Sequence, residues 1–422
     1  MKKGNVIVGQ SGGPTAVINS SLAGVFKTAK DRGFNKVYGM MYGIQGFLDE
    51  QYVDLSDYIK NEMDLELLKR TPSAFLGTCR YKMPAIHEDR TVYEKVFELL
   101  DKMEIEVFVY IGGNDSMDTI KKLSDYAMLT GARQKFIGCP KTIDNDLALT
   151  DHTPGYGSAA KYIGTSTKEI IRDCLGFSYK KKNVTIIEVM GRNAGWLTGA
   201  TALSKGEDCD GPDLIYLPEI PFDIDVFQKR VEDLLKEKDV VVAAVSEGIK
   251  NSEGKYICQL TAGSDSTDAF GHIQMTGTAS YLANYIHDTL DIKTRSVEFS
   301  SLQRSASHLA SRIDINEAFM VGGAAIKAAD EGSSGVMVVI DRLSDDPYQS
   351  TTGVYDVHRI ANDEKLVPRK WITKEGDYVT DEFVNYVRPL IQGDYQPMMV
   401  GGLPRHLTMN PTGYADLYND LD

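Results

Sequence analysis

A doubly wound α/β architecture spread over more than one domain is predicted by three observations. Short, almost continuously apolar β-rich segments alternate with segments of helical periodicity along most of the chain. Because the β-rich segments lack a polar face, they suit parallel strands covered on both sides, as in Rossmann-like sheets. Finally, 422 residues with 42% hydrophobic content can bury one large core or two medium ones, and the length favours two or three domains.

The elements follow in order. NVIVGQ (5–10) predicts a buried strand, and the pattern over 19–32 predicts the helix after it. KVYGMMY (36–42) is the next strand; a helix at 92–103, the strand VFVYIGG (107–113) and a helix at 116–130 follow. Residues 141–158, rich in Asp, Thr, Pro and Gly, mark a domain boundary. Beyond it come a helix at 158–175, the strand NVTIIEVMG (183–191), a helix at 225–238, the strand DVVVAAVSEGI (239–249) and a helix at 272–289. Near SSLQRSAS (300–307) the chain is expected to return to the first sheet, adding a helix at 312–331 and the strand GVMVVI (335–340). From about Ser344 the periodicity weakens, and an ordered extension is expected. The expected domains are therefore 1–155 completed by 304–343, then 156–303, with 344–422 as the extension.

Composition excludes several function classes. A formal charge of −14 argues against non-specific binding to nucleic acid or anionic membranes. No run of 18 apolar residues is present, and MKKGNVIVGQSGG fits a strand better than a signal peptide. The five cysteines are scattered without a CxxC pair, as expected of reduced thiols in the cytoplasm. The seven histidines form no HExxH, so no zinc site is expected.

Six places have residues suited to chemistry. In IVGQSGGPTAVINSS a strand runs into Gly12-Gly13 and a helix opens, which makes an anion-binding nest or a plain tight turn. Neither GxxxxGK(S/T) nor GxGxxG is present. Gly112-Gly113-Asn114-Asp115-Ser116 is a second such turn, in which Asn114 and Asp115 are equally suited to capping a helix. CPKTIDNDLALTD (139–151) gathers Lys141, Thr142, Asp144, Asn145, Asp146 and Asp151 at a strand end. Phosphoryl transfer needs that mixture: a cation on the moving phosphoryl, a carboxylate for the acceptor proton, and oxygens for Mg²⁺. EVMGRNAGWL (188–197) presents Arg192 after Gly191, an arrangement suited to bidentate phosphate recognition. VSEGI puts Glu247 at the end of an apolar strand, a carboxylate suited to bonding sugar hydroxyls. KTRSVEFSSLQRSASHLASR offers Arg295, Arg304 and Arg312 around a strand-turn-helix.

Taken together, these motifs resemble the phosphofructokinase A family. GG(P/D), GG(D/N)(D/G)S, (K/G)TIDND, MGR, EG and QR follow in that order from Gly12 to Arg304. The stretch PKTIDNDLALTDHTPGYGSAAKYI is similar to the pyrophosphate-dependent, longer-chain members. The resemblance implies two domains with the active site in the cleft between them. It implies Mg²⁺-dependent, reversible phosphoryl transfer to the 1-hydroxyl of fructose 6-phosphate. Asp144 would be the base, flanked by Thr142 and Ile143. Met190, Gly191 and Arg192 would hold the sugar phosphate, Glu247 the sugar hydroxyls, and Ser301 and Arg304 would complete the acceptor site. Arg295 matches a position contributed by a neighbouring subunit, so a homodimer or homotetramer is expected. Gly12, Gly13, Arg80, Gly113, Asp115 and Lys141 would face the donor, with Asn114 and Asp146 toward Mg²⁺.

Two positions identify the donor. ATP-using members resemble GGDGS and GTIDND, with glycine where this chain has Asp115 and Lys141. A carboxylate at Asp115 would take the space of the ATP α-phosphate; like charges about 4 Å apart at an effective dielectric near 20 repel by roughly 4 kcal/mol. Lys141 would offset charge on the pyrophosphate in flight. The chain carries Asn114 where many members have an Asp, and Ser301 and Asn183 where short bacterial ATP-using members have a His and a basic residue. No effector-site arginines can be placed, so a non-allosteric enzyme is expected. The competing readings are an ATP-dependent 6-phosphofructokinase and a catalytically silent sugar-phosphate-binding regulatory paralogue.

Overall fold

Asn5–Gln10 (β1) is buried along its whole length, which requires strand neighbours on both edges and helices on both faces. The computed structural model, which describes residues 3–260, 277–360 and 364–409, supplies both. After β1 the first half runs α1 (Ile18–Asp31), β2 (Val37–Met40), α2 (Gly43–Leu48), β3 (Tyr52–Asp54), α3 (Glu62–Arg70), α4 (Arg90–Lys102), β4 (Ile105–Gly112), α5 (Asn114–Thr130) and β5 (Lys135–Pro140). The second half has α6 (Tyr156–Gly176), β6 (Asn183–Val189), α7 (Trp196–Gly199), β7 (Leu214–Tyr216), α8 (Ile224–Glu237), β8 (Val240–Ser246), α9 (Thr278–Leu290) and β9 (Lys293–Glu298). Then follow α10 (Leu302–Ser305), α11 (Arg312–Asp330), β10 (Val336–Asp345), β11 (Tyr348–Asp356) and α12 (Asp381–Val387). Each strand and helix expected above has its counterpart here, with ends moved by a few residues. Of the helix expected over 272–289, residues 272–276 lie outside the described residues.

Among the described residues the first sheet has seven strands in the order β11-β10-β5-β4-β1-β2-β3. Its five inner strands are parallel, and β3 and β11 close the edges antiparallel. The second sheet, β7-β8-β6-β9, is wholly parallel. Residues alternate between two cores on either side of the first sheet. Val6 and Val8 face α1 and α11, while Ile7 faces α4 and α5. The helices α1 and α11 cross closely because glycines meet there. A Cβ on Gly24 would lie 2.1 Å from the Phe319 carbonyl oxygen, and one on Gly322 would lie 2.0 Å from that of Ser21.

The chain beyond Ser344 is tied to both sheets. β11 pairs along β10. Farther on, Val367, Ile372, Val379, Phe383, Val387 and Leu390 enter the core that holds Tyr156, Ile163 and Trp196. Trp196 stacks on Phe383 with centroids 5.9 Å apart.

Behind the loop that follows β5 lies a buried charged group. His152 is 1% exposed, with Nδ1 2.8 Å from Asp151 Oδ2 and Nε2 2.6 Å from Glu317 Oε2. Arg342 donates to Asp151 as well, and Tyr348 and Ser350 donate to Glu317. Burial alone would favour the neutral imidazole, but Glu317 and Asp151 raise its pKa to about 9. The folded state therefore holds this proton more tightly than the unfolded chain, whose histidine titrates near 6.5. Its stabilisation is complete below pH 6.5 and is lost as pH rises through about 9. We expect the unfolding free energy of the wild type, measured in urea, to fall over that range by on the order of a few kcal/mol, and that of His152→Gln to stay flatter. Parallel profiles for the two proteins would show that His152 is not the titrating group.

Candidate active site

The parallel strand order brings the polar turns together at the carboxyl ends of adjacent strands. β1 runs into Ser11-Gly12-Gly13, β4 into Gly113-Asn114-Asp115, and β5 into Lys141 through Asp146. The helices following β1 and β4 pack on opposite faces of the sheet. Such a change of winding direction opens a crevice between the two strand ends. In the second sheet the neighbours β6 and β8 end in Met190-Gly191-Arg192 and Glu247.

In the turn after β1 Gly12 adopts φ +76°, a left-handed conformation that favours glycine. Its N–H donates to the Cys79 carbonyl at 3.2 Å, and Thr78 Oγ1 donates to its carbonyl at 2.7 Å. Gln10 and Asn19, both fully buried, bond to each other at 2.8 Å and hold the segment from Thr71 to Leu76. This anchors the approach to Arg80 beside the first glycine turn. Lys141 is 3% exposed and donates from Nζ to the Gly13 carbonyl at 2.8 Å. A Cβ on Gly13 would lie 3.1 Å from Arg304 Nη1. Two cations therefore stand over this turn. Burial lowers the Lys141 pKa to about 8, with Arg304 and Arg80 acting in the same sense and Asp144 and Asp146 opposing.

The second turn departs from simple capping. Gly113 occupies the N-cap of α5 with no side-chain bond, so Asn114 and Asp115 fall inside the first turn. Asp115 is exposed, and its carboxylate adds charge at the positive end of the helix. Asn114 Oδ1 is a buried oxygen without a hydrogen-bond partner among the described residues.

In the turn after β5, Thr142 Oγ1 accepts from the Asp144 N–H at 3.1 Å and donates to Asp144 Oδ2 at 3.2 Å. Burial raises the Asp144 pKa, against the Thr142 bond and the charges of Lys141, Arg304 and Arg192. Burial, and then the charge of Asp144, bring Asp146 to about 7. Glu247 Oε1 accepts from the Gly191 N–H at 3.3 Å, and burial raises this carboxyl to about 8. Gly248 has no room for a side chain, since its Cβ would lie 2.0 Å from the Arg192 carbonyl oxygen. Met190 donates from its N–H to Gln303 Oε1 at 3.3 Å, which ties this turn to the α10 region bearing Arg304.

The structure thus gathers Gly12, Gly13, Lys141, Asp144 and Arg304, with Arg80, Arg192 and Glu247 within electrostatic reach. The side chain of Ile143 is buried in the core that holds Tyr156 and Trp196, so only its backbone is left for the cleft. Arg295 stands apart on β9, paired with Asp173 at 3.3 Å and stacked over Phe177. Ser301 is exposed at the start of α10. Sequence reasoning passed over Gln10, Asn19 and Gln303 as site residues. For Gln10 a signal existed, a polar residue ending an otherwise apolar strand. Gln303 stands in the QR pair named above, whereas Asn19 carries no local mark.

Comparison with known proteins gives the family and the fold. A family model described as phosphofructokinase matches residues 5–329. A pyrophosphate–fructose 6-phosphate 1-phosphotransferase of Xanthomonas campestris pv. campestris is 40% identical over 417 residues, covering 98% of each chain. One of Halomonas elongata is 40% identical over 407 residues and covers 96% of each. The crystal structure of a pyrophosphate-dependent phosphofructokinase from Nitrosospira multiformis superposes with a TM-score of 0.85 at 36% identity, covering 95% of each chain. By the extent of these matches and the order of its motifs, the chain belongs to the phosphofructokinase family.

Proposed function

We propose that this protein transfers a phosphoryl group from pyrophosphate to the 1-hydroxyl of fructose 6-phosphate, giving fructose 1,6-bisphosphate and phosphate. The observation that carries the reading is the placement of Lys141 Nζ on the Gly13 carbonyl beside Asp144 and Arg304, with Asp115 in the opposing turn. Asp144 takes the proton of the 1-hydroxyl as its oxygen bonds to the terminal phosphorus of pyrophosphate. The bridging P–O bond breaks, and inorganic phosphate leaves. Raising the carboxyl pKa of Asp144 toward working pH suits it to that exchange. Lys141 and Arg304 face the charge on the moving phosphoryl group and Gly12-Gly13 cradle it. Arg192 and Met190-Gly191 bind the sugar phosphate, and Glu247 orients sugar hydroxyls. Pyrophosphate and fructose 1,6-bisphosphate are close enough in transfer potential for the reaction to run both ways.

A magnesium ion fits the residues present. The orphan oxygen of Asn114 and the carboxyl of Asp146, raised by burial and Asp144, would hold it. Bound there, it would neutralise pyrophosphate charge. The exposed setting of Arg295 supports its donation to a second copy's acceptor site, and hence a homo-oligomer. The five free cysteines support a reducing, cytoplasmic setting; among the described residues no helix is long and apolar enough to cross a membrane.

The test is fructose 1,6-bisphosphate formation with pyrophosphate or ATP as the only donor. We expect turnover with pyrophosphate to exceed that with ATP by a wide margin. Equal or greater turnover with ATP would refute the donor assignment, and none with either would leave a sugar-phosphate-binding protein without catalysis.

A further inference from the structure

The turn bearing Asp144 and Asp146 is held from behind by residues more than two hundred positions later. Between the two aspartates, Asn145 has a left-handed backbone, φ +55°, tolerated by asparagine but not self-sustaining. Asn145 is fully buried. Its Nδ2 donates to Tyr386 Oη at 3.0 Å, and its Oδ1 accepts from the Thr153 N–H at 3.2 Å and from Lys365 Nζ at 3.1 Å. The same ammonium donates to the carbonyls of Thr150 at 3.2 Å and Asp151 at 2.7 Å. All three hydrogen-bond acceptors of this ammonium are neutral oxygens, its charge also lies 5.3 Å from the Trp196 ring centroid, and among the described residues no carboxylate is paired with it directly. Burial lowers the pKa of this ammonium to about 7, so keeping it here is unfavourable unless its bonds do something a packed methionine would not.

The backbone around Lys365 joins the two catalytic turns. Its N–H donates to the Asp146 carbonyl at 2.7 Å, and its carbonyl accepts from Trp196 Nε1 at 2.7 Å. Its neighbour Glu364 bridges to Leu147 and accepts from Asn193 Nδ2 at 2.9 Å, one residue past Arg192. One short stretch of the C-terminal extension therefore touches both the Asp144 turn and the Arg192 turn.

We propose that Lys365 is a positioning residue for phosphoryl transfer, fixing through Asn145 the turn that aims Asp144 at the acceptor hydroxyl. The inference rests on Asp144 being the base. Lys365→Met retains the bulk of the stem and removes the three bonds. It is expected to lower kcat by about 10–100-fold, the size of effect that a misplacement near 1 Å produces. The fructose 6-phosphate KM should stay within about threefold, because the sugar-binding turns keep their own bonds. Tyr386→Phe, which removes one bond to the same asparagine and one to the Asp151 carbonyl at 2.6 Å but leaves the lysine, should lower kcat by a smaller factor, again without moving KM.

A lysine that only fastened the extension would behave differently: the melting temperature would fall, while kcat per folded molecule stayed at the wild-type value. That result for Lys365→Met, with Asp144→Asn inactive, would overturn the positioning role and leave the base assignment standing. Normal turnover by Asp144→Asn would overturn both. Should Lys365→Met fail to fold, Tyr386→Phe decides alone, and an unchanged kcat in a folded Tyr386→Phe protein would also overturn the proposal.

Discussion

Asp144→Asn is expected to bind fructose 6-phosphate nearly as well as the parent and to lose roughly 10²–10⁴-fold in kcat, the usual contribution of a positioned general base. The substitution is nearly isosteric, and the Asp144 N–H keeps its bond to Thr142 Oγ1. What disappears is the ability to hold a proton at Oδ2, beside a threonine hydroxyl and within the field of Lys141, Arg304 and Arg192. Steady-state kinetics with pyrophosphate, together with calorimetric binding of fructose 6-phosphate, check this. Loss of binding in proportion to kcat would mean that the carboxylate only holds the sugar. Turnover within tenfold of the parent would place the base elsewhere.

Asp115→Gly is the second large effect expected, and it acts in the opposite sense, as a gain. Because Asp115 is exposed in the first turn of α5 and is not the helix cap, its removal leaves the helix start intact. A repulsion of roughly 4 kcal/mol at an effective dielectric near 20 corresponds to an upper limit of about 10³-fold in ATP affinity. Lys141 remains in that variant, so pyrophosphate turnover is expected to persist. Kinetics with each donor separately provide the measurement. An unchanged KM for ATP would assign nucleotide exclusion to bulk elsewhere in the crevice.

Much of this site was legible because its residues are short, contiguous motifs at strand ends. Gly12-Gly13, Lys141 through Asp146, and Met190 through Arg192 each follow a buried strand, and parallel pairing of neighbouring strands then brings them to one edge. Strands such as β1 and β8 declared themselves by unbroken apolar runs, buried at every position. By contrast, β7 has three residues and β3 is only half-buried, so neither has a pattern long enough to stand out. What sequence alone does not offer is contact between distant segments. Gln303 reaches the Met190 turn across 113 positions, and Lys365 reaches Asn145 across 220. The first of these bonds ends on a backbone amide, which every residue has, and the second joins two polar side chains too far apart in the chain for either to announce the other.

The close crossing of α1 and α11 has a consequence for how the polypeptide is made. The face of α1 that carries Ser21 and Gly24 is covered by a helix that begins only at Arg312, and the sheet beneath it gains β10 and β11 later still. During synthesis, then, the first sheet must remain open on one side and at one edge while the entire second sheet emerges from the ribosome. The N-terminal half is the earlier to appear and the later to be completed, and its unpaired β5 edge and bare helical groove are the surfaces that nascent chains must keep from one another.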